Sequence, residues 1–117
     1  MGHFHVTIAF RQKGRVSIQD LESLIEVLDA QATNFACIDR DIFLEFSTVS
    51  VIQQRWENAK AYISYLEMVS IKFLEFMELV EVQRFDVMGD ASDIQYFKDS
   101  RLLEPYGVKC SVLEQEL

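Results

Sequence analysis

The chain has 117 residues, half of them apolar and 26% charged, with a formal net charge of −8 at pH 7. This size predicts one domain over residues 1–117, with a core that needs no disulfide or metal. The negative net charge argues against nucleic-acid binding, because contacts with phosphate groups need clustered lysine and arginine. We find no apolar run of about 18 residues and no cationic start before an apolar segment, so we expect neither a membrane span nor a signal peptide.

The first two elements are a strand and a helix. Residues 3–10, HFHVTIAF, alternate so that Phe4, Val6, Ile8 and Phe10 share one face, which predicts a half-buried strand. After a loop, Ser17 is placed to cap a helix that fades near residues 31–34. The apolar stripe of this helix is Ile18, Leu21, Leu24, Ile25 and Leu28.

A hairpin is predicted next. Two short strands, Phe35 to Ile38 and Ile42 to Ser47, flank the polar tripeptide Asp39-Arg40-Asp41. Aspartates are typical of tight turns because their side chains hydrogen-bond the nearby backbone. The tripeptide is therefore interpreted as the turn.

The stretch from Thr48 to Met88 contains no glycine or proline, and apolar residues recur at steps of three or four from Ile52 to Val80. This spacing predicts a long helix from about residue 50 to somewhere between 67 and 78. The alternative ends the helix near Met68 and makes Val69 to Phe76 a strand. The longer helix is favoured because no turn residue interrupts it. An imperfect strand follows from Val80.

Gly89 and Asp90 mark a break before a short helix over residues 92–103, predicted to be capped by Ser92. Pro105 and Gly107 end it, and residues 108–113 read as a last strand. The order of elements predicts an α+β sandwich of ferredoxin-like βαββαβ type, an antiparallel sheet with helices on one face, plus a C-terminal helix and strand.

Cys37 and Cys110 lie far apart in strand-like surroundings, and neither belongs to a CxxC motif. With His3 and His5 as the chain's histidines, no standard zinc-ligand spacing occurs. We expect both thiols to be reduced and buried, in a cytoplasmic protein, and a disulfide between them is the alternative. We expect no cofactor and no metal. His3 and His5 point to one side of the strand and suit a metal only if carboxylates join them, so a solvated surface role is favoured.

Two short motifs invite comparison with known families. The string FHVTIAF resembles the His-x-Thr strand motif of two-histidine phosphoesterases, in which His5 and Thr7 would face a phosphate. Those enzymes need a second His-x-Thr, which this chain lacks, so the activity is not expected. Gly14, in the loop after the first strand, resembles the ligand-contacting glycine of ACT-type regulatory domains, although the usual Pro-Gly is missing.

The leading functional hypothesis is a non-catalytic, acidic protein-binding module. Residues 61–117 carry 5 Lys/Arg against 11 Asp/Glu, and no phosphate loop, nucleophile elbow or HExxH motif occurs. In size and charge the chain resembles bacterial immunity proteins, which inhibit basic toxin nucleases. The carboxylates expected to contact such a basic partner are Glu75, Glu78, Glu81, Asp86, Asp90 and Asp93.

The alternative is a homodimeric, ACT-like domain that binds a small molecule near Arg11 to Ser17. Its dimer would form through the sheet or through the aromatic residues of the long helix. Those aromatic residues, which are expected to be core or interface, are Trp56, Tyr62, Tyr65 and Phe73.

Overall fold

The structure is a computed structural model that describes residues 3–114. Its elements are β1 (Phe4–Gln12), α1 (Ile18–Ala32), β2 (Cys37–Phe43), β3 (Ser50–Trp56), α2 (Ala59–Met68), α3 (Ser70–Leu79), β4 (Val80–Gly89), α4 (Ala91–Ser100) and β5 (Ser111–Glu114). The strands form one sheet in the order β2-β3-β1-β4-β5. Only β4 and β5 pair in parallel, and the other neighbours are antiparallel. The predicted ferredoxin-like α+β fold is confirmed.

The central strand β1 separates two environments, as its alternation predicts. Phe4, Val6, Ile8 and Phe10 are buried beneath the helices in one continuous apolar core, whereas His5 and Thr7 lie on the open face. Helix α1 begins as predicted, since the Ser17 hydroxyl accepts a hydrogen bond from the Asp20 amide. No helix among residues 3–114 is long and apolar enough to cross a membrane.

The predicted hairpin turn is wrong. Asp39, Arg40 and Asp41 lie inside β2, and the chain reverses later, between Phe43 and Ser50. The two aspartates are exposed on the open face, while Arg40 points to the helix side and forms an ion pair with Asp29 of α1. β2 is an edge strand, so it has a neighbouring strand on one side and solvent on the other. Charged side chains are common on such strands.

The predicted start of the long helix is also wrong, although its helical continuation is correct. Residues 50–56 form β3, and α2 begins after Asn58, whose side chain accepts from the Ala61 amide at 2.8 Å. The three- and four-residue steps concealed a strand, because Ile52 and Trp56 also lie on one face at a period of two. The chain stays helical beyond Met68, with one interruption at Val69, so the alternative strand is wrong.

The imperfect alternation of β4 has a local cause. Ala9 pairs with Arg84 and Phe10 with Val82, so Gln83 is an extra residue in a β-bulge. Val80 and Phe85, which the sequence puts on opposite faces, are consequently both buried.

The C-terminal elements differ from the prediction in their ends. Asp90, rather than Ser92, caps α4 by accepting from the Asp93 amide at 2.8 Å, and α4 ends at Ser100. The last strand is shorter than predicted and lies parallel to β4 at the sheet edge.

Candidate active site

A small cavity lies between the sheet and helices α1, α2 and α3. Its volume is about 30 Å³, which is room for one or two water molecules. Most of its wall is aliphatic or aromatic, and four of its lining side chains are polar at their tips. Those four are Asp29 of α1, Gln54 of β3, and Tyr62 and Tyr65 of α2.

Two caps determine how α2 presents its tyrosines. The Asn58 side chain accepts from the Ala61 amide, and Asp93 Oδ1 of α4 accepts from the Ala59 amide at 3.0 Å. These bonds satisfy backbone donors that the first turn leaves free. With the helix start positioned, Tyr62 and Tyr65 are three residues apart and face the core together.

Tyr62 is the unusual group of the cavity. Its side chain is 1% exposed and packs against the rings of Phe4, Trp56 and Phe97, with centroids 5.9, 5.2 and 6.4 Å away. Its hydroxyl has no hydrogen-bond partner among residues 3–114. An unpaired buried hydroxyl costs about 1–3 kcal/mol. Burial raises the pKa of Tyr62 well above its ordinary value, so the hydroxyl keeps its proton and can donate it in a hydrogen bond.

The neighbouring polar groups are already engaged. The Tyr65 hydroxyl donates to the Leu28 carbonyl oxygen at 2.8 Å, and burial raises the pKa of Tyr65 as well. The Trp56 indole N–H donates to Gln54 Oε1 at 3.3 Å. Among these groups, Tyr62 therefore has free hydrogen-bonding capacity.

An open groove of about 460 Å³ adjoins the cavity and shares Asp29 and Ile42 with it. Arg40 lines the groove, and its Nε lies 2.6 Å from Asp29 Oδ1. Each side chain of this ion pair is about one third exposed or less. The pair therefore stands where the groove meets the cavity, and it is the polar boundary between solvent and core.

The open face of the sheet has a different chemistry. His5 and Thr7 lie there beside Gln53 and Arg55, and grooves of about 300 and 380 Å³ run on either side of β1. Arg55 forms an ion pair with Asp39. Burial, the charge of Arg55 and then that of His3 lower the pKa of His5. Among residues 3–114, no three His, Cys, Asp or Glu side chains group as a metal site requires.

The six carboxylates predicted to bind a partner fall into two groups. Glu75, Glu78 and Glu81 follow one another along α3 and the start of β4. Asp86, Asp90 and Asp93 belong to the far end of β4 and the start of α4. About 30 Å of strand separates Glu81 from Asp90. Asp90 and Asp93 accept backbone hydrogen bonds at helix starts, which gives them a structural role.

Sequence reasoning missed Asp29, Arg40 and Gln54 as site residues. Arg40 and Gln54 are polar residues at helix-facing strand positions, paired in register with each other. That signal is readable only with the correct strand boundaries, and residues 50–56 had been assigned to a helix. Tyr62 was expected in the core or an interface, and it lies in the core. The sequence pattern assigns no role to its hydroxyl.

Comparisons with known proteins show the fold and no family. No family model matches the chain, and no curated protein matches it in sequence. MupZ from Pseudomonas fluorescens is similar over 100% of this chain and 93% of its own, with a TM-score of 0.81 and 12% identity. A candidate antibiotic biosynthesis monooxygenase from Chloroflexus aurantiacus is similar over 74% of this chain and 90% of its own, with a TM-score of 0.56 and 12% identity.

A Bacteroides thetaiotaomicron protein of unknown function, described as a possible oxidoreductase, is also similar. It matches 74% of this chain and 95% of its own, with a TM-score of 0.53 and 17% identity. These comparisons contradict the prediction that the chain is not an enzyme, since the fold is shared with proteins described as a candidate monooxygenase and a possible oxidoreductase. That prediction depended on the lack of a linear motif, whereas this cavity is built from six separate elements. The immunity and ACT-like hypotheses stay predictions.

Proposed function

We propose that this protein is an enzyme that acts on a small, mainly apolar molecule bearing an oxygen atom. The substrate would enter through the groove at Asp29 and Arg40, and its oxygen would accept a hydrogen bond from Tyr62. The observation that carries the proposal is the unpaired, buried hydroxyl of Tyr62 beside a cavity. A ligand oxygen at hydrogen-bond distance would remove the free-energy cost of that group.

The surroundings of Tyr62 suit polarisation of a substrate oxygen. Hydrogen bonds are electrostatically stronger in an apolar, water-poor site, and a fixed donor needs no reorganisation during the reaction. Asp29, whose carboxylate lies at the groove, is the group placed to accept a proton from a substrate there. Oxidation by molecular oxygen is the reaction class we propose, because a candidate monooxygenase and a possible oxidoreductase share the fold. The substrate would supply the electrons, so that one oxygen atom enters the product and the other leaves as water.

The size of the cavity defines how a substrate would bind. Sites for small molecules usually measure about 300–1,000 Å³, far more than the inner cavity provides. The outer groove of about 460 Å³ would hold the body of the substrate, while its oxygen-bearing end displaces the Asp29–Arg40 pair and reaches Tyr62. We also propose a cytoplasmic location, which the two free thiols support.

A matched pair of probes tests this site. We expect 2-naphthol to bind more tightly than naphthalene by about three- to tenfold, which is the effect of one hydrogen bond. Tyr62→Phe should abolish this difference, whereas Tyr65→Phe should preserve it, because the Tyr65 hydroxyl is already bonded to Leu28. Isothermal titration calorimetry measures both affinities. Equal affinities for the two probes in the wild-type protein would refute the site.

Catalysis is tested separately by oxygen uptake with a panel of hydroxylated naphthalenes. We expect uptake with at least one compound, and a lower kcat for Tyr62→Phe than for Tyr65→Phe. Absence of uptake across the panel would reject oxidation of this substrate class.

A further inference from the structure

The outer side of α3 and the residue pair before it carry the two most exposed large apolar side chains of residues 3–114. These are Ile71, which is 75% exposed, and Met68, which is 68% exposed, and Leu74 of α3 is 46% exposed. Scattered exposed apolar residues are common on proteins, but three within seven residues form a local concentration.

Helical geometry puts Ile71 and Leu74 side by side. Residues three apart on a helix are surface neighbours, so the two form one apolar patch. Phe73 and Phe76 take the inward side of α3 and are buried in the core. Helix α1 offers a comparison, because its exposed Ile18 and Val27 are nine residues apart and lie on opposite sides of that helix.

The rim of this patch is acidic. Glu67, Glu75 and Glu78 are exposed around it, and the one basic residue of α3, Lys72, lies 3.8 Å from Glu75. We call Met68, Ile71, Leu74, Glu75 and Glu78 the α3 surface. It combines an apolar centre with a negative rim, which is the arrangement of a polar-rimmed protein interface.

We infer that the α3 surface docks a basic amphipathic helix of a different protein. Apolar side chains of that helix would cover Ile71 and Leu74, while its lysines or arginines would face Glu75 and Glu78. A second copy of this chain fits poorly, because a two-fold contact would bring the same glutamates together. An anionic membrane or a nucleic acid would be repelled in the same way. This inference does not depend on the function of the cavity.

Designed peptides test the surface. The probes are an amphipathic helical peptide of leucine and lysine and a counterpart with glutamate in place of lysine, measured by fluorescence anisotropy. We expect binding of the lysine peptide only, weakened about tenfold by Ile71→Ser/Leu74→Ser. Glu75→Gln/Glu78→Gln should weaken it several-fold and reduce its dependence on salt.

Helix α1 provides matched controls, namely Ile18→Ser/Val27→Ser and Glu22→Gln/Glu26→Gln, which should leave binding unchanged. Equal losses in the α1 and α3 variants would mean non-specific attraction by an acidic protein and would overturn the inference. So would self-association of the wild-type protein that Ile71→Ser/Leu74→Ser abolishes, since the occupant would then be a second copy. Circular dichroism and thermal melting verify that each variant is folded.

Discussion

The two faces of the sheet put the same strands to different uses. On the helix-covered face, β1 contributes Phe4, Val6, Ile8 and Phe10, each at most 4% exposed. On the open face, the alternate positions of β1 lie near the Arg55–Asp39 ion pair of β3 and β2. One residue of shift along a strand therefore changes the surroundings of a side chain from apolar core to solvent.

This difference decides what each face can do chemically. Water screens the charges of the open face, where exposed ion pairs contribute about 0–1 kcal/mol. The covered face has few polar groups, but each hydrogen bond there acts in an apolar environment and is stronger. The unpaired hydroxyl of Tyr62 is consequently a better candidate for substrate recognition than the more numerous charges outside.

The largest expected effect comes from truncating matched phenylalanines on the two faces. Phe10 is fully buried, with its ring centroid 5.1 Å from that of Phe76, whereas Phe43 is 57% exposed on β2. Phe10→Ala should lower the free energy of unfolding by about 3–5 kcal/mol through the cavity it creates. Phe43→Ala should change it by less than about 0.5 kcal/mol. Urea denaturation measures both, and a comparable loss for Phe43→Ala would indicate that the open face is covered in solution.

The two tyrosines of the covered face should respond in opposite directions. Tyr65→Phe removes the hydrogen bond to the Leu28 carbonyl oxygen and should destabilise the fold by about 1 kcal/mol. Tyr62→Phe removes an unpaired hydroxyl, so the free energy of unfolding should rise, by up to about 3 kcal/mol. Thermal unfolding of the free protein provides the comparison. Destabilisation by Tyr62→Phe equal to that by Tyr65→Phe would show that the Tyr62 hydroxyl has a partner.

The smallest expected effect is the pH response of the open face. The pKa of His5 lies below 6.5 in the folded protein because of burial and then the charge of Arg55. The unfolded chain therefore binds the proton more readily, and the fold should lose stability as the pH falls below about 6.5. The stability of His5→Gln should depend less on pH in this range.

NMR titration of the His5 ring tests the cause directly. Arg55→Gln should raise the pKa of His5, while Arg84→Gln, on the neighbouring strand β4, is the matched control and should leave it unchanged. An unchanged His5 pKa in Arg55→Gln would assign the shift to burial alone.

The alternation of residues 3–10, the cap at Ser17 and the apolar stripe of α1 from Leu21 to Leu28 were readable from the sequence, because each depends on neighbours within a few residues. Ile18, which was also predicted in that stripe, is 44% exposed. The strands within residues 35–56 could not be predicted in the same way. The turn chemistry of Asp39 and Asp41 indicated a hairpin, but pairing with β3 extends the strand through them. A sheet edge supplied by residues far along the chain overrode the local preference.

By itself the sequence determined the fold class, the acidic charge and the expectation that Trp56, Tyr62, Tyr65 and Phe73 belong to the core or an interface, since these follow from periodicity and composition. Only the tertiary structure decided that Asp29, Gln54 and Tyr62 line one cavity, and that Glu75 and Glu78 border an exposed apolar patch. The physical reason is distance along the chain. Periodicity shows which way a side chain faces within its own element, whereas a site depends on how separate elements pack against each other.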